Sequence, residues 1–232
     1  MNPIMAVFEV FYQPGKLFAS LPNRRGTWVV PIILSLLFSL AATYLVIQKI
    51  GLDTIVRQQI EARSNMTPEQ QQQALNRANS PVIGAIVYGS VVLASLVLPL
   101  IIAGLLSIFA LMAQQQPRFG TMFSMVVLAW FPYAVVSSLM GILVLFASPD
   151  PGTLDYQNLL STNVGAFMNK ETTGKALYAF LTSMDVLSFF EIGFLGYGFS
   201  RITRSSFFYG VFSVGSLWAL YVAIKAGFAS LQ

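Results

Sequence analysis

The chain of 232 residues contains no cysteine and no histidine. Without cysteine it can form neither a disulfide nor a thiolate metal site. Without histidine it lacks the commonest general base, the Ser–His–Asp triad and imidazole metal ligands. The sequence also has no phosphate-binding glycine loop and no nucleophile elbow. We therefore expect no catalytic residues, no metal site and no cofactor, and we predict that the protein is not an enzyme.

Charged residues are also scarce. They make up 9% of the chain, against roughly 25% in soluble domains, whereas hydrophobic residues make up 56%. A chain of this size cannot hide so much apolar surface in one water-soluble core. The basic residues, which give a net charge of +4, are scattered and do not alternate with aromatics. We therefore expect a lipid bilayer as the main partner and no nucleic acid.

The sequence contains several long apolar runs. Five stretches reach the length of about 20 residues that a helix needs to cross a bilayer. The runs are continuous and do not alternate with polar residues, which favours helices over barrel strands. The sequence predicts an all-α polytopic membrane helix bundle within a single domain, 28–232, with five transmembrane helices at about 28–48, 82–113, 122–147, 178–200 and 207–229.

The segments between these runs predict the orientation. Residues 1–27 form a cytoplasmic or interfacial segment, in which 3–21 mixes apolar and polar side chains as an interfacial amphipathic helix does. The predicted outer loops are 49–81 and 148–177. Basic residues are denser in the other connecting segments than in these two loops, which predicts a cytoplasmic amino terminus and an outer carboxyl terminus.

One short motif lies within the first predicted outer loop. In Thr67-Pro68-Glu69-Gln70, the threonine can cap a helix, the proline fits the first turn, and Gln70 can reach back to the cap. The motif predicts a short helix over 70–78.

Two acids fall within the predicted spans, Asp185 and Glu191, and burying an ionised carboxylate in hydrocarbon costs about 3 kcal/mol. They are six residues apart, so they lie about 120° apart around a helix and form no carboxylate pair. Ser188 shares a face with Asp185. A cation or proton site is one interpretation. A polar anchor hydrogen-bonded to a neighbouring helix is the other, and we favour it for both acids.

Small residues mark the last two predicted spans. They let helix backbones approach closely, so they predict contacts between helices and between protomers. The candidate packing residues are Gly193, Gly196 and Gly198 in one span, and Gly215, Ala219, Ala223 and Gly227, which recur every four residues, in the other.

The stretch 181–227 resembles the carboxyl-terminal half of prokaryotic Yip1-domain proteins. Asp185 stands at the family's helix-opening aspartate, Gly198 at a glycine near the end of that helix, and Lys225 with Gly227 at the family's ending. The segment 11–21, followed by Trp28 and Pro31, resembles the family's entry segment. The resemblance implies five transmembrane helices and a cytoplasmic amino terminus, and it implies much less about activity.

These observations favour a non-enzymatic multi-pass protein of the bacterial inner membrane. We expect an interaction, scaffold or membrane-organising factor, for instance an accessory of a larger envelope complex, whose partners are other membrane proteins or a second copy of the chain. The alternative is a small transporter or channel that uses Asp185 and Glu191. An enzyme acting on lipid is the third hypothesis, and it ranks last because the acids are dispersed.

Overall fold

The computed structural model describes residues 3–61, 66–78, 80–170 and 172–231. In this part of the chain the regular elements are helices, joined by short 3-10 turns and one isolated β-bridge. The α-helices are α1 (Pro3–Tyr12), α2 (Pro14–Ser20), α3 (Val29–Ile50), α4 (Leu52–Glu61), α5 (Pro68–Ala78), α6 (Pro81–Met112), α7 (Phe119–Ala147), α8 (Lys175–Leu181), α9 (Val186–Thr203) and α10 (Phe207–Ser230).

Four of these helices are long and apolar enough to cross a membrane: α3, α6, α7 and α10. The shortest, α3, has 22 residues, and at 1.5 Å per residue it spans about 33 Å, slightly more than a hydrocarbon core. The four helices lie on the first, second, third and fifth predicted spans. The prediction of an all-α polytopic bundle is therefore confirmed.

The fourth predicted span, 178–200, is not one helix. α8 ends at Leu181 and α9 begins at Val186, so the apolar run is divided by a four-residue break, 182–185. The hydroxyls of Thr182 and Ser183 both bond back to the carbonyl of Ala179, and Asp185 caps the next helix. Polar side chains of this kind compete with helical backbone bonds. α9 has 18 residues and is not among the four long apolar helices, so a fifth crossing stays a prediction.

Helix α7 lies at the centre of the bundle. It packs against α3, α6 and α9, and every residue from Thr121 to Ala129 is buried. This first part of α7 is therefore covered by protein on all faces, whereas exposed apolar residues such as Leu143 lie towards its other end. α9 and α10 pack beside each other, and α10 also packs against α8.

The amino-terminal arm, residues 3–23, crosses one end of the bundle, which we call the amino end. The segment predicted to be interfacial and helical forms two short helices: α1 contacts α3 and α7, and α2 contacts α9. Leu17, Phe18 and Leu21 are buried, and the ring of Phe18 meets that of Phe194 edge-on at 5.6 Å. Glu9 holds the arm to the chain before α3 through an ion pair of 2.7 Å with Arg24.

The opposite end, which we call the loop end, carries the two long loops. Gly51 ends α3 with φ +91°, a conformation that favours glycine, and the chain turns there into α4. Gln58 joins the loops, because its amide donates to the Leu154 carbonyl at 2.9 Å and accepts from the Tyr156 N–H at 3.2 Å. The capping box before α5 is confirmed: the Thr67 N–H donates to Gln70 at 3.0 Å and the Gln70 N–H donates to the Thr67 hydroxyl at 3.3 Å. Residues 62–65 and 79 of this loop lie outside the described residues.

Candidate functional site at the helix break

Asp185 lies at the break between α8 and α9, where it forms the N-cap of α9. One carboxylate oxygen accepts hydrogen bonds from the N–H groups of Leu187 at 2.7 Å and Ser188 at 3.4 Å. The other oxygen accepts a 2.7 Å hydrogen bond from the hydroxyl of Thr162. The predicted neighbour Ser188 thus meets Asp185 through its backbone. Both oxygens of the carboxylate are occupied by groups of the protein itself.

The loop that supplies Thr162 is also joined to the break by its backbone. The N–H of Val164 donates to the Met184 carbonyl at 3.1 Å, and the N–H of Val186 donates to the Thr162 carbonyl at 3.3 Å. These two bonds flank the isolated antiparallel bridge between Asn163 and Asp185. The break is therefore an ordered joint between the second loop and the bundle.

Lys225, near the end of α10, reaches the same break from the other side. Its ammonium donates hydrogen bonds to the hydroxyls of Thr182 at 3.1 Å and Ser183 at 3.0 Å. Each of these hydroxyls donates its own proton to the Ala179 carbonyl, at 3.0 and 2.9 Å. Their lone pairs are thereby free to face the ammonium. The charge of Lys225 is positioned by two neutral hydroxyl groups.

An open cleft of about 1080 Å³ adjoins this joint at the loop end. Its walls are formed by the end of α4, the loop residues 153–170 and 172–173, the start of α8 and the end of α10. Most of the lining side chains are polar, and the charged ones are Glu61, Asp155, Lys170, Lys175 and Lys225.

Glu191 occupies a separate position, further along α9. Its side chain is half-buried, and its carboxylate lies within electrostatic range of the phenol of Tyr133 on α7. Asp185 is also within electrostatic range of that phenol. The described residues contain no group of three or more acidic side chains that could hold a metal ion. The arrangement offers polar anchoring and charge, and no assembled catalytic set.

Comparison with known proteins decides the family. The family model described as "Yip1 domain" matches residues 8–230, nearly the whole chain. The chain belongs to the Yip1 family. It is accordingly a multi-pass membrane protein with a lipid bilayer around its apolar helices, in agreement with its composition and its four long helices. Neither a curated protein nor a solved structure matched the chain.

Two of the residues that carry the Yip1 resemblance meet in the structure. Asp185 and Lys225 are 40 positions apart in the sequence, yet both bind the chain at the break between α8 and α9. Gly198 lies at the other end of α9, where a Cβ would approach Met125 Sδ to 2.9 Å and Phe18 Cζ to 3.3 Å. The two ends of α9 are therefore fixed by residues that the sequence singles out.

The candidate packing residues of this Yip1-domain protein fall into two groups. A Cβ on Gly196 would lie 2.7 Å from the Val211 Cα, so the backbones of α9 and α10 touch there. At Gly193 and Gly227 a Cβ would meet nothing within 4 Å, and at Gly215 it would make an ordinary contact of 3.9 Å with Ile192. Ala219 and Ala223 are exposed. Most of the small residues that recur every four positions on α10 therefore do not pack against other helices of this chain. Contacts between protomers through them stay a prediction.

Several residues of the joint do not stand out in the sequence. Thr162, Thr182 and Ser183 are ordinary hydroxyl residues there, and only their meeting in space gives them a role. Gly210 faces Gly196 across the α9–α10 contact, and a Cβ on it would overlap the Gly196 carbonyl oxygen. In the sequence, Gly210 could have been noticed only as a glycine in the first turn of the last apolar run, where a membrane helix packs against its neighbours.

Proposed function

We propose that this protein is a non-enzymatic interaction or membrane-organising factor of the bacterial inner membrane. It acts by presenting the amino-terminal arm to the membrane interface and to neighbouring membrane proteins or a second copy of itself. The observation that carries this proposal is the arm itself, because one face of α1 is buried on the bundle while the other is apolar and uncovered.

The uncovered face of α1 is large for so short a helix. Ala6, Val7 and Val10 are buried, whereas about half of the surface of each residue on the opposite face is exposed. Isolated apolar residues on a surface are common, but a contiguous apolar face at one end of a bundle indicates contact with lipid or protein. The exposed residues are Ile4, Met5, Phe8, Phe11 and Tyr12.

Exposed basic residues surround the arm at the amino end. They come from the arm, the connection from the arm to α3, the α6–α7 link and the end of α9: Lys16, Arg25, Arg118, Arg201 and Arg204. Cytoplasmic segments carry such an excess of Lys and Arg, and the anionic cytoplasmic leaflet attracts them. The basic end supports a cytoplasmic arm, which lies where other inner-membrane proteins expose their own interfacial segments.

The experiment is photocrosslinking in native membranes. A photoreactive residue at position 8 is compared with one at Asn23, an exposed position at the end of the same arm. We expect discrete protein adducts at position 8 that disappear when Met5→Ser is added on the same face. The proposal is wrong if position 8 gives lipid adducts alone and the purified protein leaves the shape of vesicles unchanged.

A small transporter or channel is the second candidate function, and Glu191 is the observation in its favour. A half-buried acid in a membrane bundle, within electrostatic range of the Tyr133 phenol, is a feature of ion paths. Asp185 supports this function less, because both of its oxygens accept hydrogen bonds from the chain. Proteoliposome flux separates the two candidates: flux that is lost in Glu191→Gln supports transport, whereas flux no higher than in protein-free vesicles, or equal in wild type and variant, rejects it.

A further inference from the structure

The cleft at the loop end has the composition of an anion site. We propose that it binds the phosphate of an anionic lipid headgroup, with Lys225 as the principal contact. This inference does not rest on the interaction role proposed above, since the cleft and the arm lie at opposite ends of the bundle.

The geometry of Lys225 is the first argument. An ammonium group has three N–H donors, and two of them go to the hydroxyls of Thr182 and Ser183. Both hydroxyls are neutral, and their protons are fixed on the Ala179 carbonyl. Lys225 thus lines the cleft as an oriented positive charge with one donor remaining for an anion. Hydrogen bonds between a charged donor and a phosphate oxygen are among the strongest in proteins.

The charge balance of the cleft is the second argument. Three lysines and two carboxylates line it. Lys170 and Asp155 lie 3.6 Å apart, so their charges largely offset each other. Among the lining residues that the structure describes, the lysines thus outnumber the carboxylates by three to two. The hydroxyls of Thr172 and Thr173 can donate hydrogen bonds to phosphate and glycerol oxygens, whereas the amides of Asn158 and Asn163 are hydrogen-bonded to each other in the wall of the cleft.

The position of the cleft points to a lipid as the source of the phosphate. Lys225 lies on α10, one of the four membrane-length helices, one turn before its end. Phe228, which lines the cleft, is strongly exposed, and Leu177 and Phe180 are exposed on the neighbouring α8. A headgroup seated on Lys225 would place its acyl chains beside these apolar side chains. A soluble anion would gain nothing from them.

The test is a lipid titration of the full-length protein. The protein is placed in phosphatidylcholine nanodiscs, and the apparent affinity for short-chain phosphatidylglycerol is measured by native mass spectrometry. Lys225→Met removes the principal contact, and we expect affinity to fall about tenfold or more, as loss of a charged hydrogen bond implies. Lys49→Met is the matched control: Lys49 is exposed and stacks over the Phe146 ring outside the cleft, so affinity should stay within about twofold.

A second variant tests the cleft without touching its charge. Ala229 lines the cleft, and Ala229→Phe would fill part of it while keeping Lys225 and its two hydroxyl partners. We expect Ala229→Phe to lose as much lipid affinity as Lys225→Met while its melting temperature stays that of the wild type. This variant therefore tests the cleft even if Lys225→Met folds poorly. Equal affinity in wild type and Ala229→Phe would overturn the proposal. So would an equal loss in Lys49→Met, because that result would indicate diffuse surface charge.

Inorganic phosphate distinguishes the source of the anion. We expect it to displace phosphatidylglycerol poorly, since it lacks acyl chains to contact α8 and α10. Binding of phosphate alone, as tight as that of the lipid and equally dependent on Lys225, would overturn the assignment to a lipid.

Discussion

Thr162 and Asp185 are joined by a hydrogen bond of 2.7 Å between the hydroxyl and a carboxylate oxygen, across 23 positions of sequence. With the two backbone N–H groups at the start of α9, this bond satisfies both oxygens of the acid. Helix α9 therefore begins where the second loop fixes it. This geometry favours the interpretation of Asp185 as a polar anchor.

The anchor makes a prediction for Asp185→Ala. Loss of the N-cap and of the bond to Thr162 should lower the free energy of unfolding by about 2 kcal/mol, whereas Asp185→Asn, which still caps, should lose less than about 1 kcal/mol. The measurement is denaturant unfolding in mixed micelles. Thr162→Val completes a double-mutant cycle, and its cost should shrink once Asp185 is alanine. Additive losses would show that the two residues do not act together.

The contact between α9 and α10 predicts a strong effect at Gly210. Because a Cβ there would overlap the Gly196 carbonyl oxygen, Gly210→Ala must push the helices apart and should cost about 1–3 kcal/mol of unfolding free energy. The matched control is Gly193→Ala on α9, where a Cβ meets nothing within 4 Å, so stability should be unchanged or slightly higher. Equal losses in the two variants would contradict the close contact.

The arm predicts a large effect of Glu9→Gln. Only 13% of each side chain is exposed in the ion pair between Glu9 and Arg24, so water screens the pair little, and loss of this charged hydrogen bond should lower the free energy of unfolding by about 2 kcal/mol. The arm should also become more sensitive to added protease. Lys170→Gln is the control, since its pair with Asp155 is about 40% exposed and should contribute less than about 1 kcal/mol. Similar effects of the two substitutions would show that the arm is not held by this pair.

The bundle itself could be predicted from the sequence, because long apolar runs have one stable solution in lipid. Hydropathy alone could not predict the interruption of the fourth run, although the family resemblance indicated that a helix begins at Asp185. In the sequence, residues 182–185 only lower the hydropathy of the run slightly. In the structure, their hydroxyls and carboxylate make hydrogen bonds in place of helical backbone bonds. The cleft and the hydrogen bonds of Lys225 could not be predicted either, because they depend on three segments that meet only after folding. Gly210 shows the same limit: a close approach is a property of two helices, and one helix alone does not reveal it.

The number of crossings is the central claim of this account, and the natural absence of cysteine makes it directly testable. Single cysteines at the exposed positions Gln13, Gln116 and Ser206 of the amino end, and at Gln70, Thr172 and Ser230 of the loop end, are labelled in intact cells with a membrane-impermeant maleimide. Five crossings predict labelling of the second set alone, with the first set reacting only after the membrane is opened. Labelling of Ser206→Cys together with Thr172→Cys in intact cells would place both ends of α9 on one side and contradict the account.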